Sequence, residues 1–313
     1  MPTDSRPSPV QTELLKSAVK LAGKRGFNHL LYIGDVPLGE EFLRARGIKK
    51  KLVQAVTSDE QRAAIEAAGL RALTIPSYDL ARQEKLKLAL VAGIGAGMFQ
   101  KADVVLAVVG RRPTAWPDSV LVVTVGGKHE RDRAGDAGTW VGMLKDDRVS
   151  NQVLGSVLDL AISISVEGWE GHPIGTMFVI GDAPAVMEKS RQLTLNPFQG
   201  YSEDEKHLLN PEVRDALRNF AVLDGAFVLR EDGVVLSAGR YLIFDEHEPL
   251  KVPLGLGARH MAAAGITRET EALAVVVSQT TGGVRVFRKG ELVLDFAPSE
   301  RRVGHPPNAP HAR

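Results

Sequence analysis

The chain contains no cysteine among its 313 residues. Disulfides, thiolate metal sites and thiol nucleophiles are therefore excluded, and the composition suits a reducing compartment. It also lacks a dominant charge, with 39 Lys and Arg against 38 Asp and Glu. Such a balance gives no global pull toward nucleic acid or an anionic membrane. Long apolar runs are missing too: Leu86 to Phe99 falls short of the roughly 18 residues that span a bilayer. The opening Met1-Pro-Thr-Asp-Ser-Arg-Pro-Ser-Pro9 has no apolar stretch of the kind that forms a secretory signal. Together these absences predict a cytoplasmic protein that engages neither membrane nor nucleic acid.

What is present reads as ordinary globular material, 44% hydrophobic and 25% charged, with enough length for two domains. Residues 1–9 and 298–313 are expected to be disordered. Across 10–130 helical and strand patterns alternate. A helix carries Leu14, Leu15, Ala18 and Val19. Strands are predicted at His29 to Ile33, Lys51 to Val56, Ala72 to Ile75, Val104 to Val109 and Val120 to Val125. Ser58 with Gln61 reads as a capping box, and a long helix is expected from about Asp79 to Gln100. Strands alternating with helices predict a Rossmann-like α/β domain with a doubly wound parallel sheet, regulatory or oligomerising in role.

The glycine- and charge-rich stretch from Gly126 to Asp147 reads as a break. Residues 148–297 then mix helices with hairpins, which predicts a second α/β domain with a mixed central sheet. Its expected elements include helices at Val149 to Val166, Pro184 to Leu193, Pro211 to Phe220 and Gly257 to Ala264. Strands are expected at Ile174 to Ile180, Gly225 to Leu229, Val234 to Ala238, Ala272 to Val277, Val284 to Arg288 and Glu291 to Phe296. Arg230-Glu-Asp-Gly233 is a hairpin turn.

Several motifs have plain explanations. Gly93-Ile-Gly-Ala-Gly97 lacks the strand before and helix after that a dinucleotide fingerprint requires, so these glycines pack or end a helix. Lys49-Lys-Lys51 reads as a solvated turn, and His129-Glu-Arg-Asp-Arg133 as a surface charge cluster without metal-ligand spacing. His305 and His311 are isolated residues of the tail.

A more coherent set lies in the C-terminal half: Leu223-Asp-Gly-Ala226, Gly257-Ala-Arg-His260 and Val277-Ser-Gln-Thr-Thr-Gly-Gly283. Taken singly they are a turn, an exposed helix face and a loop. Taken together they offer a carboxylate for a metal or hydroxyl, small residues for close backbone approach, and cations and hydroxyls for a phosphate chain.

At these residues the chain resembles the diadenylate cyclase domain family, known for an Asp-Gly-Ala motif followed by Arg-His-Arg. The resemblance runs through roughly Gly171 to Phe296. It includes Gly171-His-Pro-Ile-Gly175, Phe178-Val-Ile-Gly181, Gly239-Arg-Tyr-Leu242, Gly265-Ile-Thr and Glu271 to Ser278. The N-terminal region is similar to the pyruvate-kinase-C-like domain that precedes the cyclase in archaeal-type members. The resemblance implies a nucleotidyltransferase that makes the second messenger cyclic di-AMP from two ATP with a divalent metal, Mn2+ or Mg2+. It implies that Asp224 is catalytic and binds the metal. Gly225, Ala226 and Gly257 would lie against the nucleotide, with Leu242 on adenine. Arg259, His260 and Ser278 would hold phosphates. Met261 stands where the motif usually ends in arginine, Ala258 where threonine often stands, and Gln279-Thr280 where an acidic pair often follows the serine. Because one site holds one ATP, the reaction implies a homo-oligomer with facing sites. Two alternatives stay open: a catalytically weak nucleotide-binding sensor, and a scaffold acting through the N-terminal domain.

Overall fold

The computed structural model describes residues 7–45, 47–75, 80–110, 116–125, 148–245, 247, 249, 250, 252, 253 and 255–296. His129 to Arg133, His305 and His311 lie outside them, as do residues 1–6 and 298–313 of the expected loose ends. Ser8 and Pro9, also placed in a loose end, instead cap and open a helix. Ser8 Oγ accepts from Gln11 N while Gln11 Oε1 accepts from Ser8 N, a complete capping box for α1 (Pro9–Ala22).

The first sheet holds β1 (His29–Ile33), β2 (Leu52–Val56), β3 (Arg71–Thr74), β4 (Val104–Val109) and β5 (Ser119–Thr124), in the order β3-β2-β1-β4-β5. The first four run parallel, but β5 pairs antiparallel with β4. The expected all-parallel sheet is thus mixed. Only residues 110–118 separate β4 from β5, too short a stretch for the crossover that parallel neighbours need. Alternate residues of each central strand go to opposite faces. Leu30, Tyr32, Leu106 and Val108 pack on the buried Leu15, Ala18, Val19 and Ala22 of α1. Leu31, Ile33, Val105 and Ala107 pack with Leu86, Ala89 and Leu90 of α5 (Arg82–Gly95).

Short helices α2 (Glu40–Leu43) and α3 (Ile48–Lys51), and α4 (Asp59–Ala67), connect these strands. Ser58 caps α4 by accepting from Gln61 N, but the Gln61 side chain turns to the Asp35 carbonyl, so the box is half made. Gly93 lies within α5, where any side chain would collide with the Phe99 ring. That agrees with a helix-packing role. Lys51 departs from the solvated-turn expectation: it closes α3, and its Nζ donates to the carbonyls of Ala22, Lys24 and Phe27 at 2.9, 3.3 and 2.8 Å.

The second sheet has the order β12-β11-β10-β6-β8-β9-β7. Its strands are β6 (Thr176–Ile180), β7 (Ser190–Gln192), β8 (Ala226–Leu229), β9 (Val235–Leu242), β10 (Leu273–Val277), β11 (Val284–Arg288) and β12 (Glu291–Phe296). Only β6 and β8 pair in parallel; the other neighbours are antiparallel. The expected helix from Pro184 to Leu193 is shorter, α7 (Ala183–Glu188), and gives way to β7. Ser190 Oγ bonds back to the Val186 and Met187 carbonyls, closing the helix early. Helix α8 (Pro211–Phe220) precedes β8.

Helices α6 (Asn151–Glu167) and α9 (Ala258–Glu269) cover opposite faces of this sheet. Val157, Leu160, Ala161 and Ile164 of α6 join Phe178, Ile180, Val275 and Val277 in the same core that contains α5. Ala263, Ala264 and Ile266 of α9 pack with Met177, Val179, Ala274 and Val276. One apolar core therefore runs from the first sheet through α5 and α6 into the second. Among the described residues no helix is long and apolar enough to cross a membrane.

The lysine clamp yields a stability test. Lys51→Met leaves two part-buried carbonyls, those of Ala22 and Phe27, and the exposed Lys24 carbonyl without this donor, and should cost about 1–3 kcal/mol. Lys49→Met, on an exposed side chain, should stay within about 0.5 kcal/mol. Urea unfolding midpoints of the two variants check this. Equal effects would show that the clamp adds nothing.

Candidate active site

A cleft of about 630 Å³ opens between the end of β9 and the first turn of α9. Its lining is mostly apolar, including Met177, Leu193, Tyr241, Leu242, Phe244, Leu250, Met261 and Ala262, with Asp224, Arg240 and Arg259 as the charged groups. A mainly apolar concavity with a few converging polar groups is the usual form of a small-molecule site.

Backbone geometry places the carboxylate. Gly225 has φ +95°, and a side chain there would come within 2.8–2.9 Å of backbone atoms of Gly239 and Arg240. Only glycine tolerates both demands. The turn directs Asp224 outward: its side chain is 86% exposed, and Oδ1 accepts from Gly225 N at 3.0 Å. Ala226 then enters the sheet opposite Arg240, at a register shift in the β8–β9 pairing.

Arg259 comes from the first turn of α9, whose N-cap is Gly257. Its Nη2 lies 3.5 Å from Asp224 Oδ1, and its buried Nε has no hydrogen-bond partner. Gly175 makes room for it, since a side chain there would meet Arg259 Nη1 at 3.2 Å and the Gln279 backbone at 3.1 Å. The N-terminus of α9, which has no side-chain cap, together with this guanidinium, favours an anion. Arg240 is held by Ser190 Oγ and by the carbonyls of Met187 and Ser190 at 2.7–3.0 Å. The Arg191 guanidinium lies over the Tyr241 ring, 5.0 Å from its centre, and steadies one wall.

Of the residues singled out from the sequence, Asp224, Gly225, Leu242 and Arg259 line the cleft. Gly257 is the exposed N-cap of α9 and is not among the lining residues, and Ala226 is fully buried in the sheet. His260 and Ser278 do not line the cleft. His260 is buried, with Nε2 3.2 Å from Arg285 Nη1 and its ring edge-on to Phe287. Ser278, also buried, organises its own turn: its N–H donates to the Gly283 carbonyl, its carbonyl accepts from Gly282 N, and its Oγ accepts from Thr281 N. Arg240, Tyr241, Phe244 and Gly175 were given no role from sequence. Arg240 and Tyr241 stand within the quoted Gly239-to-Leu242 motif. Gly239 has φ +68°, and the closeness of Gly265 to the Phe244 ring explains the absence of a side chain there.

Among the described residues, a divalent metal would find one carboxylate lining this cleft, Asp224. Among the described residues no three His, Cys, Asp or Glu side chains gather. That donor set fits a cation carried largely by substrate phosphates and water, as Mg2+ commonly is.

Residues 163–292 match the family model described as "DisA bacterial checkpoint controller nucleotide-binding". The cleft lies within that match. Residues 11–132 match a second model, "Probable sensor domain DacZ_P", in place of the pyruvate-kinase-C-like domain expected above. The chain is 39% identical over 182 residues to the diadenylate cyclase of Haloferax volcanii, covering 58% of this chain and 64% of the relative. It is 41% identical over 152 residues to the diadenylate cyclase of Methanocaldococcus jannaschii, covering 49% and 48%. The matched stretch thus spans about half to just under two thirds of these relatives. A crystal structure of DacA from Staphylococcus aureus overlaps with a TM-score of 0.30 at 22% identity, over 45% of this chain and 84% of that one.

Burial, reinforced by the Arg285 cation, lowers the His260 pKa from 6.5 to about 4. The imidazole is neutral when folded, so its contribution to stability is complete above pH 6.5. It is lost progressively as pH falls toward 4, by up to about 3 kcal/mol. Asp159 of α6 keeps solvent-exposed surface, yet desolvation by its neighbours raises it to about 6, and it works in the opposite sense over an overlapping range. The difference between parent and His260→Gln therefore isolates the histidine. Urea unfolding at pH 7 and pH 4.5 should show the parent losing more stability than the variant. Parallel losses would place His260 in contact with water.

Proposed function

We propose that this chain is a diadenylate cyclase that condenses two ATP into cyclic di-AMP and releases two pyrophosphates. The observation that carries this is the Asp224 carboxylate set 3.5 Å from the Arg259 guanidinium at an apolar cleft, within a span that matches a nucleotide-binding family. Leu242, Tyr241 and Phe244 offer apolar surface to the adenine. Arg259 and the first amides of α9 hold the triphosphate. Asp224 orients the 3′-hydroxyl and accepts its proton as the 3′-oxygen bonds to the α-phosphorus of the other ATP. The bond from that phosphorus to the bridging oxygen breaks in line, and pyrophosphate leaves. A metal held by Asp224 and the phosphates would supply charge neutralisation at the α-phosphate.

Each cleft offers one carboxylate and one triphosphate pocket, so a closed ring needs two clefts facing across a homo-oligomer. Leu193, Tyr241 and Met261 line the cleft while remaining 41%, 48% and 38% exposed, apolar surface that a facing copy would cover. Residues 148–297 would form the cyclase domain, and 10–130 a regulatory or oligomerising one. The reading places the protein in the cytoplasm.

Incubation with ATP and Mn2+, with products separated by chromatography and identified by mass, should yield cyclic di-AMP. Asp224→Asn should abolish it in a folded protein. Arg259→Ala should weaken ATP binding or turnover at least about tenfold, from the loss of charge-assisted bonds. ATP bound without turnover would favour a nucleotide sensor. Near-parental turnover by Asp224→Asn would remove that residue from the chemistry.

Pairing has its own test. Asp224→Asn subunits, mixed with parent after dissociation and reassembly at fixed total protein, should poison mixed pairs. Activity should then fall toward the square of the parental fraction if pairing is random. A linear decline with confirmed subunit exchange would mean that one subunit suffices.

A further inference from the structure

Helix α5 belongs to the first sheet, yet it touches the far edge of the second. Its Lys87 and Glu84 side chains are only 10% and 12% exposed and pair at 3.2 Å. Lys87 Nζ also donates to the backbone carbonyl of Asp295 on β12 at 2.9 Å. Asp295 stands opposite Arg285 in the β11–β12 pairing, and its Oδ1 lies 3.1 Å from Arg285 Nε, an ion pair outside hydrogen-bond alignment. Arg285 Nη1 in turn lies 3.2 Å from His260 Nε2. Arginine can only donate, so this imidazole nitrogen accepts and the ring proton sits on Nδ1. His260 follows Arg259 directly in the first turn of α9.

The first turn of α9 has few other polar ties. Its N-cap, Gly257, makes no side-chain cap, and the buried Arg259 Nε has no partner. Among the described residues, two side chains tie this turn to the sheet: Arg259, 3.5 Å from Asp224 at the cleft mouth, and His260, which meets Arg285 in the strands beneath. The links are largely buried, with Arg285 13% and Asp295 32% exposed, so solvent screens them less than it would a surface pair.

We propose that Lys87 is a positioning residue for the nucleotide cleft. Through Asp295, Arg285 and His260, α5 sets where the first turn of α9, and with it Arg259, stands. The effect on ATP rests on the cleft being the ATP site. The mechanical link does not.

The test uses the full chain and three variants: Lys87→Met, Lys87→Arg and Arg285→Lys. Equilibrium binding of radiolabelled ATP, steady-state KM and kcat, and amide hydrogen exchange over residues 258–262 are measured for each. Lys87→Met should weaken ATP binding and raise KM by about three- to tenfold, leave kcat within about twofold, and speed exchange in that turn. Lys87→Arg, which can still donate to the Asp295 carbonyl, should restore most of both. A purely structural defect lowers the active fraction, and so kcat, without moving KM. Should Lys87→Met fail to fold, Arg285→Lys keeps a cation beside Asp295 but shortens the reach to His260, and the same shifts are expected. Unchanged exchange and ATP affinity in a folded Lys87→Met or Arg285→Lys protein would overturn the proposal. A parent that binds no ATP would sink the functional reading instead, while exchange over 258–262 would still decide the link.

Discussion

The structure depends on the burial of α6 between two sheets. Val153, Leu154, Val157, Leu158, Leu160, Ala161, Ile162 and Ile164 are all nearly inaccessible. Together they cover far more than the single stripe that a surface helix needs. One part of that surface faces β10 and β11, another faces α5, and the same core continues to β1 and β4. Separating the sheets would expose an apolar helix on two sides, so the two halves of the chain share stability. An extensive apolar contact of this kind restrains the relative motion that is otherwise expected between domains. It also explains how a polar chain as fine as Lys87 to His260 can keep its spacing.

Much of the architecture was legible because the central strands are buried on both faces and read as unbroken apolar runs. His29–Ile33 and Val104–Val109 emerge with the bounds read from sequence. What escaped depended on partners distant in sequence. The direction of β5 follows from a connection too short for a crossover. The end of α7 is fixed by Ser190 bonding backward and by Arg240, fifty positions on, bonding to Ser190. Ser190-Arg-Gln192 carries no apolar signal, so its pairing with β9 could not be seen locally. Lys51 looked like one of three equivalent lysines, and only the placement of the carbonyls after α1 distinguishes it.

The site divides along similar lines. Asp224-Gly225 was readable because a positive-φ turn imposes its chemistry on the sequence. For α9 the motif gave proximity along the chain but no direction. Successive helical residues turn by about 100°. Ala258, Arg259, Met261 and Ala262 therefore share one side, while His260 falls opposite. Arginine and histidine adjacent on a helix cannot both face one cleft, and here the arginine does. The histidine's chemistry is turned inward, toward Arg285.

That division explains the unusual balance of the cleft. Its floor is apolar and partly enclosed, but Asp224, the only acid among the described residues that line it, projects into solvent. A carboxylate meant to act on a group deep in its own pocket would be expected to point inward and to sit in lower dielectric, where its interactions are stronger. An outward carboxylate beside a guanidinium is better placed to meet a group that arrives from outside. On the proposed cyclase reading, the base would bind on the apolar surface while the reacting oxygen and phosphorus would meet at the rim. The rim is where a second molecule can approach, and where Leu193, Tyr241 and Met261 still hold exposed apolar surface. The proposed cyclase reaction requires a geometry of this kind, in which the reacting groups of two nucleotides meet at a rim that a second subunit can reach.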